Sequence, residues 1–177
     1  MTGIVWINGA HGVGKTTTSR LVQRLIPDSR ILDAEKVGEV LMDVRPGLPE
    51  LGNFQHWAPW RPLVVETARR LLEYTGGVLV MPMTVVVEAY WQEIRDGLAE
   101  HGVPVRHVVL HADEATLRAR IDGDRVLGPS TFRQGLVDDY LTAFHGWLGR
   151  EAEAVDTTHL APEEVAQRVA AMAAAAS

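Results

Sequence analysis

Short apolar runs alternate with stretches of helical periodicity along almost the whole chain. The first run, Ile4–Ile7, stops at a glycine-rich segment and predicts a strand. Helical spacing follows from Lys15 to about Ile26, where Pro27 stops it. Arg30–Leu32 predicts a short strand ending at Asp33, and a helix is expected from about Glu35 to Asp43. The Pro-, Gly- and aromatic-rich segment up to Trp60 has no period. Pro62 suits the first turn of the next helix, which Gly76-Gly77 ends. Val78–Met81 is continuously apolar, as a strand buried on both faces must be. Helices are expected over Val87–His101, from an Asp113 cap to about Ile121, over Ser130–Leu148 and from Pro162. Strands are expected at Val105–Leu110 and, weakly, near Ala154–Val155. The Ala-rich run Ala170–Ala176 reads as the fraying end of the last helix. This alternation predicts an α/β fold with five parallel strands sandwiched between helices. All 177 residues are expected to form one domain.

In such a sheet ligands bind outside the carboxyl ends of the strands. The segment at the first of those ends is Gly9-Ala10-His11-Gly12-Val13-Gly14-Lys15-Thr16, which fits G-x-x-x-x-G-K-[ST] in full. Its glycines permit a tight turn whose N–H groups aim at phosphate oxygens, and the following helix adds its positive dipole end. The expectation is a P-loop nucleotide-binding and kinase fold. ATP lies along Gly9–Thr17 in this reading, Lys15 reaches its phosphates, and the Thr16 hydroxyl takes one position on Mg²⁺.

The chain is 46% hydrophobic with a net charge of −6 and no block of like charges, which argues against a nucleic-acid partner. It has no cysteine, so disulfides and thiolate sites are excluded. No apolar run approaches a membrane span, and the first strand leaves no room for a signal peptide, so a cytoplasmic location is expected. Monomer and dimer both stay open.

Other strand ends carry the remaining candidates. Asp33 suits a base that accepts a hydroxyl proton, with a water-mediated Mg²⁺ contact or a simple helix cap as alternatives. No carboxylate follows the third strand, where Val78–Met81 runs into Pro82-Met83-Thr84; this counts against a motor or AAA-type ATPase and favours a small kinase. Arg118, Arg120 and Arg125, with Arg133 a weaker fourth, suit a short lid over residues 118–133 that neutralises phosphate charge. Phe54-Gln55-His56-Trp57-Ala58-Pro59-Trp60-Arg61 offers stacking faces, an amide and a cation to an acceptor with a ring system, or else a satellite hydrophobic cluster.

Taken with Asp33-Ala34-Glu35-Lys36 and Met81-Pro82-Met83-Thr84, these segments resemble the tunicamycin-resistance proteins, bacterial ATP-dependent phosphotransferases of the P-loop kinase superfamily. The resemblance spans essentially the whole chain, thinner beyond Arg120. It implies transfer of the ATP γ-phosphate to a hydroxyl on the N-acetylglucosamine portion of tunicamycin. By position it implies Asp33 as base, and Arg120 or Arg125 as lid arginine. Phe54, Gln55, Trp57, Trp60, Arg61, Met83 and Thr84 fall at the acceptor, and Thr157 beside adenine. Two alternatives remain: a kinase on the same fold with a different hydroxylated acceptor (another antibiotic, a sugar or a shikimate-like acid), and a protein that sequesters the drug under ATP control.

Overall fold

The computed structural model describes residues 2–44, 49 and 53–175. Most of the aperiodic segment between Asp43 and Asn53, and Ala176 of the Ala-rich tail, lie outside them.

The elements are β1 (Gly3–Gly9), α1 (Lys15–Leu25), β2 (Ser29–Ile31), α2 (Glu35–Asp43), α3 (Trp60–Thr75), β3 (Val78–Pro82), α4 (Glu88–Glu100), β4 (Val105–His111), α5 (Glu114–Asp122), α6 (Thr131–Ala143), α7 (Gly149–Glu151), β5 (Glu153–Asp156) and α8 (Pro162–Ala174). A 3₁₀ turn at Phe54–His56 precedes α3, and the helix expected through Leu148 instead ends at Ala143 and widens into a π turn, Phe144–Leu148. That turn holds Trp147 so that its Nε1 donates to the Val86 carbonyl at 3.0 Å.

The five strands form one parallel sheet in the order β2-β3-β1-β4-β5. β1 and β3 are buried along their whole length, which is why they read as unbroken apolar runs. Parallel neighbours need right-handed crossovers. The chain moves one way from β1 to β2 and the other way from β3 to β4, so α1 and α4 fall on opposite faces. α8 packs against α1, and α3 against α4. The register brings Gly9 opposite Leu110, Ile7 opposite Pro82, and His111 opposite Asp156. All five carboxyl ends therefore open on one edge of the sheet. β1 is central, so the loop after it has the ends of β2 and β3 on one side and those of β4 and β5 on the other.

Candidate functional site

A close backbone approach at Gly9 and a left-handed turn at Gly14 shape the loop after β1. A Cβ on Gly9, whose φ is 145°, would lie 2.6 Å from the Leu110 carbonyl oxygen. Gly14 is the N-cap of α1, in left-handed conformation. The loop is also tied sideways. The buried Asn8 amide accepts from the N–H groups of Gly9 at 2.8 Å and Val85 at 3.0 Å, and donates to the Val85 carbonyl at 2.9 Å. Lys15 folds back, its Nζ donating to the carbonyls of Gly9 at 3.0 Å and Ala10 at 2.8 Å. An arriving anion would exchange those two neutral partners for charged ones.

A cavity of about 880 Å³ opens over this loop. His11, Gly12, Gly14, Lys15, Thr16 and Thr17 form its floor. On the β2–β3 side its wall is Glu35, Met42, Asn53, Phe54, Gln55, Trp57, Met83, Thr84 and Val86. On the β4–β5 side and across the top stand Arg120, Asp124, Leu127, Ser130, Phe132, Arg133 and Leu136. One wall is thus largely apolar and aromatic, and the floor and opposite wall are cationic.

The apolar wall is braced from behind. Gln55 Nε2 donates to the Thr84 carbonyl at 2.8 Å, and the Thr84 hydroxyl to the Gly9 carbonyl at 2.8 Å, so the aromatic turn, the β3 end and the phosphate loop form one connected unit. α2 lies close against the turn: a Cβ on Gly38 would fall 2.5 Å from the Phe54 ring. Trp60 and Arg61, expected beside an acceptor, stand behind this wall. Trp60 is fully buried, its ring 5.5 Å from that of Phe54, and its Nε1 donates to the Ala34 carbonyl at 3.2 Å. Arg61 is 8% exposed; it donates to the Gln55 carbonyl at 2.7 Å, pairs with Glu93 at 2.5 Å and stacks over the Tyr90 ring at 4.3 Å. Trp60→Ala is therefore expected to destabilise the fold by about 4 kcal/mol, the usual cost of deleting a core tryptophan. Urea unfolding checks this; a loss confined to the acceptor KM, with stability intact, would contradict the placement.

The expected carboxylate divides its work with a neighbour. Asp33 lies off the cavity wall, and its Oδ1 accepts from the backbone N–H of Glu35 at 3.0 Å. Glu35 is the carboxylate on the β2–β3 wall, and no local sequence pattern singles it out from Asp33. Burial first, then the Asp33 charge, raise its pKa above the usual glutamate range, against the pull of Lys15. Burial lowers the Lys15 pKa to about 8 although Glu35 and Asp33 oppose it. The Thr16 hydroxyl makes no hydrogen bond among the described residues and stands free for a metal. No group of three or more His, Asp or Glu side chains among the described residues is arranged to hold a metal without help. A hydroxyl, a nearby carboxylate pair and phosphate oxygens fit Mg²⁺, which takes few protein ligands and keeps its waters.

The arginines separate by face. Arg120 lines the cavity and also grips Thr157, donating to its Oγ1 at 3.1 Å and its carbonyl at 2.9 Å. Thr157 is buried beneath it and does not itself line the cavity. Arg118 points to α6, bonded to Glu114 at 2.8 Å, the Gln134 carbonyl at 3.1 Å and Asp138 at 2.7 Å. Arg125 is exposed and off the wall. Arg133, the weaker candidate in sequence, is 7% exposed and on the wall, bonded to Asp124 at 2.7 Å and to the Gly128 carbonyl. Asp124 also accepts from the N–H groups of Val126 and Leu127, which with Arg133 hold its pKa well below the usual aspartate range.

A family model described as an AAA domain matches residues 4–129. No curated protein matches the chain. Among solved structures, it is similar to the tunicamycin resistance protein of Deinococcus radiodurans, at 28% identity and TM-score 0.79, over 98% of this chain and 96% of that one. It also shares its fold with a gluconokinase from Sinorhizobium meliloti (17% identity, TM-score 0.70, 99% and 93% covered). A shikimate kinase from Acinetobacter baumannii has the same fold (17% identity, TM-score 0.61, 99% and 95% covered).

Proposed function

The chain belongs to the AAA-domain family, and on that premise we propose that it is an ATP-dependent phosphotransferase acting on a small hydroxylated acceptor, with tunicamycin as that acceptor. The observation that carries the reading is Glu35. It is a carboxylate of raised pKa on the cavity wall, within the field of the phosphate-loop lysine and beside an apolar, aromatic surface. Phosphoryl transfer asks little covalent chemistry of a protein; it asks for positioning and for charge placed where charge develops. Glu35 accepts the acceptor's hydroxyl proton as that oxygen bonds to the γ-phosphorus, and a raised pKa suits a base working near neutrality. Asp33 holds the first turn of α2 through the Glu35 N–H, and its second carboxylate oxygen would reach a bound Mg²⁺ through water. Lys15, Arg120 and Arg133 neutralise the phosphoryl oxygens and the departing ADP. Thr16 would hold Mg²⁺, which when bound would supply further charge neutralisation at the phosphates.

The choice of acceptor is supported by the likeness to the Deinococcus protein and by the aromatic wall of Phe54 and Trp57 with Met42 and Met83, suited to an amphipathic drug. A phosphate on its sugar would add charge and spoil the drug's fit to its target. The enzyme works in the cytoplasm in this reading, where ATP is held. No helix among the described residues is long and apolar enough to cross a membrane.

The acceptor is tested by incubating the protein with ATP, Mg²⁺ and, in parallel, tunicamycin, gluconate or shikimate, followed by fragmentation mass spectrometry. One added phosphoryl group on the N-acetylglucosamine of tunicamycin is expected. Preferential phosphorylation of gluconate or shikimate would overturn the acceptor assignment.

A further inference from the structure

His11 occupies a variable position of the phosphate loop, yet its surroundings are specific. It lines the cavity floor, and its imidazole makes no hydrogen bond among the described residues. Charged groups face this floor from several elements. Lys15 stands at the start of α1 and Arg133 reaches in from α6. Arg120 comes from α5, which touches the loop where Gly12 meets Ile121 and the Arg120 Cβ. The acids of the cavity are committed elsewhere: Asp124 to Arg133, Glu35 to the field of Lys15 across the floor.

We propose that His11 is a proton-coupled contact to the nucleotide's polyphosphate, neutral before binding and taking one proton from solvent as the anion arrives. The inference rests on the nucleotide-binding reading above. Burial, then the charges of Lys15 and Arg133, hold the ring neutral, with a pKa lowered to about 4. A triphosphate neutralises both cations and offers acceptor oxygens. The positive field that disfavours the imidazolium is thereby offset, and an imidazolium N–H gains a charge-assisted bond. By linkage, a group whose pKa rises on binding takes up a proton on binding. The affinity it adds is present at low pH and is lost as pH rises through the bound-state value.

The test is titration calorimetry of the wild type and His11→Gln with Mg²⁺ and a non-hydrolysable ATP analogue. Each is measured near pH 6 in two buffers of very different ionisation enthalpy. The wild type is expected to take up about one proton more per site than the variant, and to bind about tenfold more tightly near pH 6 but almost equally near pH 8. Because the difference between the two proteins is read, protons exchanged by the nucleotide or by other side chains cancel. Equal proton counts in the two proteins would overturn the His11 proposal while leaving the nucleotide site standing. No binding heat in either protein would overturn both. Nitrogen NMR of the wild-type ring checks the same point without a variant: saturation with the analogue should convert His11 to imidazolium, and a ring that stays neutral would contradict the proposal.

Discussion

Lys15→Ala is expected to cut turnover by about a thousandfold or more, since it removes the cation placed where γ-phosphoryl charge develops, in a cavity where water screens it poorly. The lysine is held at the loop by two carbonyls, those of Gly9 and Ala10, and among the described residues no carboxylate bonds it directly. Its charge is therefore available to a ligand at the cost of two neutral hydrogen bonds. The fold should survive, because those carbonyls then meet water at the cavity floor. Steady-state kinetics with a thermal melt of the same sample separate the two effects. Turnover unchanged in a folded variant would contradict phosphate binding at this loop.

Glu35→Gln is expected to lower kcat by about a thousandfold, within the range that a positioned base contributes, with little change in the KM for ATP. Asp33→Asn should cost no more than about tenfold, because an asparagine oxygen still accepts from the Glu35 N–H. The pH profile carries the same distinction. A base must be deprotonated to act, so wild-type kcat should fall as pH drops through the raised Glu35 value, above the usual glutamate range. That limb should vanish from the residual activity of Glu35→Gln. A larger loss in Asp33→Asn than in Glu35→Gln would return the base to Asp33.

The two carboxylates show where sequence reading stops. Asp33 and Glu35 straddle the junction of β2 and α2, two positions apart. Which one caps the helix and which one lines the cavity is set by the rotation of the first helical turn. That rotation is fixed at a distance, where Trp60 bonds the Ala34 carbonyl and Phe54 packs over Gly38. The arginines of α5 follow the same logic. Arg118 and Arg120 are two residues apart, about 200° around a helix, so one must face α6 when the other faces the phosphate loop. Sequence spacing marked both as candidates; the packing of α6 separates them. Arg133 gained its place because Asp124 and the Gly128 carbonyl pull it inward, contacts that no local pattern announces.

By contrast, the phosphate loop was legible because everything that defines it is local: an apolar strand, glycines at fixed offsets, then a helix. The parallel sheet was legible for a related reason, since strands such as Val78–Pro82 must be apolar on both faces to be covered by helices. Trp60 and Arg61 were misplaced because an aromatic-rich loop and the buried first turn of a helix have the same composition. In the structure Trp60 opens α3 and turns inward, and Arg61 spends its guanidinium on Glu93 and the turn above it.

In the proposed function this cavity moves phosphate from ATP to tunicamycin rather than holding either molecule. Its most direct test follows the label from γ-phosphate-labelled ATP in a reaction with catalytic amounts of the protein, Mg²⁺ and excess tunicamycin. Label is expected on the drug over many turnovers, with ADP formed in equal amount and both lost in Glu35→Gln. Label that stays in ATP while the drug remains bound and unmodified would contradict it and leave a protein that sequesters its ligand.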